Sequence, residues 1–169
     1  MQFIETTRVQ DTRPFTVTEQ EYAIPQKSVF NKIVGDSHFE LEFAAFLEYC
    51  PDVVSYTKNY FAIHFKLDYI DADGSIRNYY PDFLVRLTDG RVVVVETKGM
   101  VDLDVPHKMR RLAQWCEDVN AIYAAEAYDF VYVDQESFDR YVHRDFQQIL
   151  DSFLEYKEQT LSRRYEHTA

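Results

Sequence analysis

Two apolar runs face each other across a short polar break. Phe83-Leu84-Val85-Arg86-Leu87 is followed by Thr88-Asp89-Gly90, and then by Arg91, four valines and Glu96-Thr97-Lys98-Gly99. Runs of β-branched and aromatic residues separated by Asp-Gly predict a β-hairpin. The unbroken valines at 92–95 predict a central strand buried on both faces. Upstream, Asp36-Ser37 offers an N-cap, and Phe39, Phe43, Phe46 and Leu47 recur at helical spacing. An amphipathic helix ending at Cys50-Pro51 follows from that pattern. Between helix and hairpin, residues 60–69 alternate imperfectly and predict a strand, with Asp71-Ala72-Asp73-Gly74 as a turn.

Beyond the hairpin, residues 102–106 predict a helix start, with Asp104 as a cap and Pro106 in the first turn, where its missing N–H is harmless. Lys108, Leu112, Trp115, Val119 and Ile122 share one stripe of that helix, whereas Arg110 and Arg111 point elsewhere. Residues 128–133 read as a strand. From Glu136 one long amphipathic helix is expected, with Phe138, Val142, Phe146, Ile149 and Phe153 inward and a frayed tail at Arg163-Arg164. Residues 1–27, with two prolines and the short alternation Phe15-Thr16-Val17-Thr18, predict an irregular arm with one or two strands. The order is then helix, strand, hairpin, helix, strand and appended helix. A helix joining two successive strands of one sheet makes a crossover, so the expected class is α/β, a mixed central sheet flanked by helices. Residues 28–135 would form the core, with the arm at 1–27 and the helix at 136–169 belonging to the same single domain.

Composition narrows the function without naming it. At 169 residues, with thirteen Tyr, thirteen Phe and only four Gly, the chain can bury a core and is globular rather than disordered or repetitive. No apolar run approaches the ~18 residues of a membrane span, and no signal-peptide pattern opens the chain. Cys50 and Cys116 are too few for a disulfide framework or a zinc knuckle, and read as buried thiols in a reducing compartment. The expected location is cytoplasmic. The five His lack metal-ligand spacing. A net charge of −11 argues against a nonspecific nucleic-acid coat, and predicts weak, salt-sensitive DNA binding by this chain alone.

Candidate chemistry lies at one end of the hairpin. Folding at Asp89-Gly90 brings Asp82 close to Glu96, and a period of two keeps Lys98 on the face of Glu96. Two carboxylates and an ammonium on an apolar hairpin are costly unless a metal ion uses them. The competing reading is a surface hairpin with a salt bridge to Lys98. The triplet alone decides nothing, because Glu155-Tyr156-Lys157 repeats it in what reads as the solvated face of a helix. Glu40 shares a helical stripe with Phe43, Ala44 and Leu47, so it either finds a cation or donor or snorkels to water; Glu42 competes with it, and Glu48 is readily solvated.

A helical Glu, a Pro-Asp opening one strand and Glu-any-Lys closing the next resemble the PD-(D/E)XK nuclease superfamily. Lys27-Ser28-Val29-Phe30-Asn31, Asp36-Ser37-His38-Phe39-Glu40, Lys58-Asn59, Tyr80-Pro81-Asp82-Phe83, Glu96-Thr97-Lys98-Gly99 and Lys108 resemble one branch more closely. That branch is the C-terminal endonuclease domain of the restriction (Res) subunit of type III restriction-modification enzymes, and the likeness spans residues 25–122. It implies a restriction-endonuclease-like core (α-β-β-β-α-β) and Mg²⁺-dependent hydrolysis of double-stranded DNA, with Mn²⁺ as a substitute. Asp82, Glu96 and the Thr97 backbone carbonyl would hold the ion, leaving the Thr97 side chain on the other face. Lys98 would be catalytic, Glu40 would complete the site, and Lys108, Lys58 and Asn59 are candidates for contacts to DNA phosphates. The implied partners are a helicase-type ATPase motor and a methyltransferase subunit that reads the DNA sequence. This chain has no Gly-Lys-Ser/Thr P-loop and no expected ATP site, so a separate domain, a fragment or a stand-alone relative is expected. The alternatives are a nuclease-fold module that docks DNA or a partner with little turnover, and another nuclease of the superfamily.

Overall fold

The computed structural model describes residues 8–18, 21–99, 103–123 and 127–154. A short antiparallel pair, β1 (Tyr22–Ala23) and β2 (Ile33–Val34), leads into helix α1 (His38–Tyr49). Strand β3 (Val53–Lys58) is followed by β4 (Leu67–Ile70) and β5 (Ile76–Tyr79), then by β6 (Phe83–Leu87) and β7 (Val92–Lys98). Helix α2 (Val105–Ile122) crosses to β8 (Tyr128–Asp134), after which come α3 (Gln135–Arg140) and α4 (Phe146–Ser152). The main sheet has the order β3-β6-β7-β8. Its first two pairings are antiparallel, and β7–β8, joined by the crossover helix, is parallel. The fold is thus mixed α/β with a mixed central sheet between helices.

Local chemistry explains the main elements. The Ser37 hydroxyl accepts from the Glu40 N–H at 3.3 Å, which caps α1 as the Asp-Ser pair predicts. Gly90 turns the β6–β7 hairpin at φ 91°, a conformation that a side chain would strain. The valines of β7 alternate between two separate cores. Val93 and Val95, with Phe83, Val85, Val131 and Val133, pack under Phe39, Phe43 and Leu47 of α1 and Phe146 and Ile149 of α4. Val94, with Phe130 and Tyr132, packs under Met109, Leu112 and Cys116 of α2, beside Leu67, Tyr69 and Tyr79 of the β4–β5 hairpin. Both thiols are buried, and burial pushes Cys50 up to about 12.

Several expectations need correction. The strand that enters the sheet before the hairpin is β3, not residues 60–69. Within the latter, Phe61–Ile63 forms a 3-10 turn closed by His64 in the left-handed region (φ 62°), and only the end at β4 is extended. β4 then pairs with β5 in a separate two-stranded ribbon. The single long helix after Glu136 is two short ones, because Asp134 and Asp145 each accept from an N–H three residues on and start a helix afresh. Asp52 also accepts from Phe146 N and Gln147 N, fixing the second start. Val142, in the break, is 91% exposed rather than inward. Asp104 makes no side-chain cap on α2 and instead accepts from the Tyr69 hydroxyl at 2.9 Å. Ile122 is exposed, off the buried stripe. Glu48, expected in solvent, accepts from Gln26 N and Lys27 N and holds the arm. Asp102, Glu155-Tyr156-Lys157 and Arg163-Arg164 lie outside the described residues. No helix among the described residues is long and apolar enough to cross a membrane.

Candidate active site

The pairing of β6 with β7 sets the site. Phe83 lies opposite Val95 in the last pair of the ladder, and the residue before it, Asp82, meets Glu96 and Thr97 at the mouth of the hairpin. The Asp82 N–H is tied to the Val95 carbonyl at 3.0 Å, which holds the aspartate at the strand mouth. Glu96 follows Val94 on the α2 face of the sheet and is 4% exposed, so it is no residue of a surface hairpin. Lys98 stands two residues on. Lys108 comes down from the first turns of α2, with Nζ 5.8 Å from the centre of the Tyr79 ring.

Asp82 closes the edge of the sheet. Its Oδ2 accepts from both Thr97 N and Thr97 Oγ1, each at 2.7 Å. Thr97 alternates with Glu96 along β7, so its hydroxyl meets Asp82 from the face opposite Glu96. The Asp82 carboxylate takes the place of the next ladder partner, in the plane of the strands, where a side chain from the opposite face can reach around to it. The N–H and C=O of one strand residue point to the same side, so the Thr97 carbonyl is directed toward the Asp82 side as well.

Burial and mutual repulsion dominate the electrostatics. Burial, then the nearby Glu40 carboxylate, raises Asp82 to about 6, although the two Thr97 hydrogen bonds pull it down. Burial, then the Asp82 charge, raises Glu96 well above the ordinary carboxylate range, while Lys108, the neighbouring Tyr79 hydroxyl and Lys98 draw it back. Glu96 Oε2 is buried with no hydrogen-bond partner. An orphaned carboxylate oxygen beside a second carboxylate could accept a cation, and a donor set of carboxylate and carbonyl oxygens would suit a hard divalent one. Among the described residues, no three His, Cys, Asp or Glu side chains converge closely enough to hold an ion by themselves. Main-chain oxygen and water would have to complete any shell.

Glu40 and Lys58 form a second layer behind Asp82. Glu40 is 7% exposed, and its Oε2 lies 2.6 Å from Lys58 Nζ and accepts from Asp36 N at 3.0 Å. Glu42 is exposed and faces His38 at 3.3 Å, so geometry places Glu40 rather than Glu42 at the centre. Lys58 also meets Asp36 Oδ2 at 2.7 Å. Burial works against its charge, but the bonds to Asp36 and Glu40 outweigh that and leave its pKa raised. Two expected DNA contacts are thereby corrected. Lys58 is buried and its ammonium is held by two carboxylates. Asn59 is buried too, and its amide donates to Pro81 O and Phe65 O at 2.9 Å while its backbone N–H donates to Asp82 O at 2.7 Å. Asn59 thus shapes the Pro81-Asp82 turn from inside.

Tyr79 was given no role by sequence reasoning, and Asp36 only that of an N-cap. Tyr79 is 2% exposed beside Glu96, and its hydroxyl has no hydrogen-bond partner among the described residues. Burial and the Glu96 charge hold that phenol well above its usual range. Its place two residues before Pro81 was the available signal; what hid it was that an aromatic in an apolar run reads as core. A scan against protein-family models and searches of curated proteins and of solved structures return no match.

Proposed function

We propose that this chain is a metal-dependent endodeoxyribonuclease of the PD-(D/E)XK kind, with the restriction-endonuclease-like core of type III restriction subunits. The observation that carries the reading is the meeting of Asp82 and Glu96 at the mouth of β6–β7, both with raised pKa values and with a buried Glu96 oxygen left over. The order α1, β3, β6, β7, α2, β8 agrees with that core, as does the antiparallel, antiparallel, parallel pairing.

Asp82, Glu96 and the Thr97 carbonyl would hold Mg²⁺, or Mn²⁺ in its place, with Glu40 behind them as a water-linked or direct supplement. Such an ion supplies charge neutralisation at the scissile phosphate and a lowered pKa for water. The chain's own residues then have distinct tasks. Lys98 projects an ammonium from the Glu96 face and offsets the negative charge that builds on the phosphate as water attacks and the P–O bond breaks. Lys108 adds positive charge beside Glu96 and would meet a phosphate oxygen. Lys58, by neutralising Glu40, keeps a third carboxylate from repelling the DNA. Double-stranded DNA is the substrate; the motor and methyltransferase subunits remain partners by resemblance.

The test is nicking of supercoiled plasmid with Mg²⁺ or Mn²⁺ by the intact chain and by Asp82→Ala. Cleavage that disappears in the variant supports the enzyme. Metal binding by calorimetry without cleavage, at any divalent ion tried, would instead favour a module that docks DNA or a partner, the reading to which the net charge of −11 lends weight.

A further inference from the structure

A cleft of about 670 Å³ opens between the N-terminal arm and the 3-10 turn that follows β3. Arg8, Arg13 and Phe15 line it from the arm, with Asp11 as the acidic group among them; Ala62 and His64 line it from the turn. In a chain of net charge −11, two exposed guanidinium groups and an imidazole on one concave surface reverse the local sign. No salt bridge among the described residues takes up either guanidinium. The wall beneath them is fixed. The Phe15 ring packs 5.4 Å from Phe30 and 5.2 Å from Tyr60, and the Tyr60 hydroxyl accepts from Val34 N at 2.8 Å.

The cleft is also connected to the acidic centre. Tyr60 directly follows Asn59, whose N–H is bonded to the Asp82 carbonyl. Phe61, 74% exposed, stands edge-on to Tyr80 at 4.7 Å, between the cleft and the Pro81-Asp82 turn. A chain carrying phosphates could therefore run from Asp82 across an exposed aromatic ring into a groove that bears two arginines. A planar guanidinium matches a phosphate bidentately.

We infer that this cleft grips the phosphate backbone of the DNA strand flanking the reacting phosphodiester, through Arg8 and Arg13. The inference rests on the nuclease reading for the identity of the ligand. It supplies what the acidic composition otherwise lacks, a local cationic track beside a negatively charged centre.

The test separates binding from cleavage. A fluorescein-labelled 20-base-pair duplex is titrated with the full chain in EDTA, where no metal-dependent cutting can occur, at several salt concentrations. In Arg8→Glu/Arg13→Glu, affinity should fall by at least about tenfold and the salt dependence should lose about two phosphate contacts. Arg8→Lys/Arg13→Lys should retain most of the binding, and both variants should keep the wild-type circular dichroism, because the two side chains are exposed. Unchanged affinity and salt slope in the charge reversal, or equally tight binding of polyglutamate, overturns the proposal, as does a wild-type chain that binds no duplex at low salt. Arginine-dependent binding without plasmid nicking keeps the groove and defeats the nuclease; nicking that the charge reversal leaves intact, with binding unchanged, does the opposite.

Discussion

Two buried carboxylate sites, each next to a β-hairpin, have opposite fates in this molecule. Asp71, at the β4–β5 turn, is 7% exposed, yet its oxygens accept from Asp73 N, Ser75 N and Arg77 Nε at 2.8–3.0 Å. The Arg77 hydrogen bond, then the turn's N–H groups, hold its pKa below the usual value. It is shielded by its own turn and satisfied by it. Asp82 and Glu96, at the mouth of β6–β7, have their pKa values pushed the other way, and one oxygen is left without a donor. A buried acid surrounded by donors is structural. A buried acid facing another acid is energetically unfinished, and that incompleteness marks a place for a cation.

The largest effect should come from removing the unfinished pair. Asp82→Ala or Glu96→Ala should abolish metal-dependent nicking while leaving the chain folded, or more stable without metal, since each removes half of a repulsion. Lys98→Ala should reduce the cleavage rate by roughly 10²–10³, the scale for losing one preorganised group that stabilises transition-state charge. Plasmid nicking beside thermal melting reads both. If Asp71→Asn abolished nicking as completely as Asp82→Ala, the distinction between the two clusters would fail.

Next in size is the buried pair behind Asp82. Lys58→Met leaves Glu40 uncompensated, with only the Asp36 N–H donating to it. Breaking one partner of such a pair costs about 3 kcal/mol or more, whereas replacing both is often neutral. Lys58→Met/Glu40→Leu should therefore recover most of the stability lost in Lys58→Met, as measured by denaturant unfolding. A double variant as unstable as the single one would mean that Lys58 acts through packing alone.

How much of this was legible in the sequence follows from what each residue reports. Local signals served well where one pattern had one solution. Asp89-Gly90 between β-branched runs specified the hairpin, and with it the closeness of Asp82 to Glu96. Ser37 ahead of a phenylalanine stripe specified α1. Signals failed where long-range contacts decide. Nothing local marks residues 60–69 as a turn closed by a left-handed His64, and Asp52 holds the start of α4 from 94 residues away. Lys58 next to Asn59 reads as a polar pair awaiting a ligand; only the packing of β3 against α1 reveals that Asp36 and Glu40 already hold it.

The two clusters also predict opposite responses to pH. Asp82 binds its proton more tightly in the native state than in the unfolded chain, where the ordinary value is 3.8. Between pH 4 and about 6 the native state thus holds more protons, and its contribution to stability falls as pH rises. An added divalent ion should offset that loss, so Mg²⁺ should raise Tm more at pH 7 than at pH 5. Equal stabilisation at both values would show that the ion binds elsewhere.

Asp71 gives the smallest effect and the sharpest contrast of sign. Its pKa is depressed, so its contribution is present above the unfolded value of 3.8 and lost only as pH falls through the lower native value. Asp71→Asn keeps an acceptor for Asp73 N and Ser75 N but removes the charge that faces Arg77, whose side chain is 60% exposed. Screening by solvent limits what that ion pair contributes. The variant should lower Tm slightly at pH 7, and the difference should shrink as pH falls below 3.8 and then through the lower native value. Nicking should be unchanged, because the turn lies in the β4–β5 ribbon rather than in the main sheet. Parallel melting curves of wild type and Asp71→Asn across the acid range provide the check: curves that converge as pH falls support a satisfied structural acid, and a constant offset would place its role in packing instead.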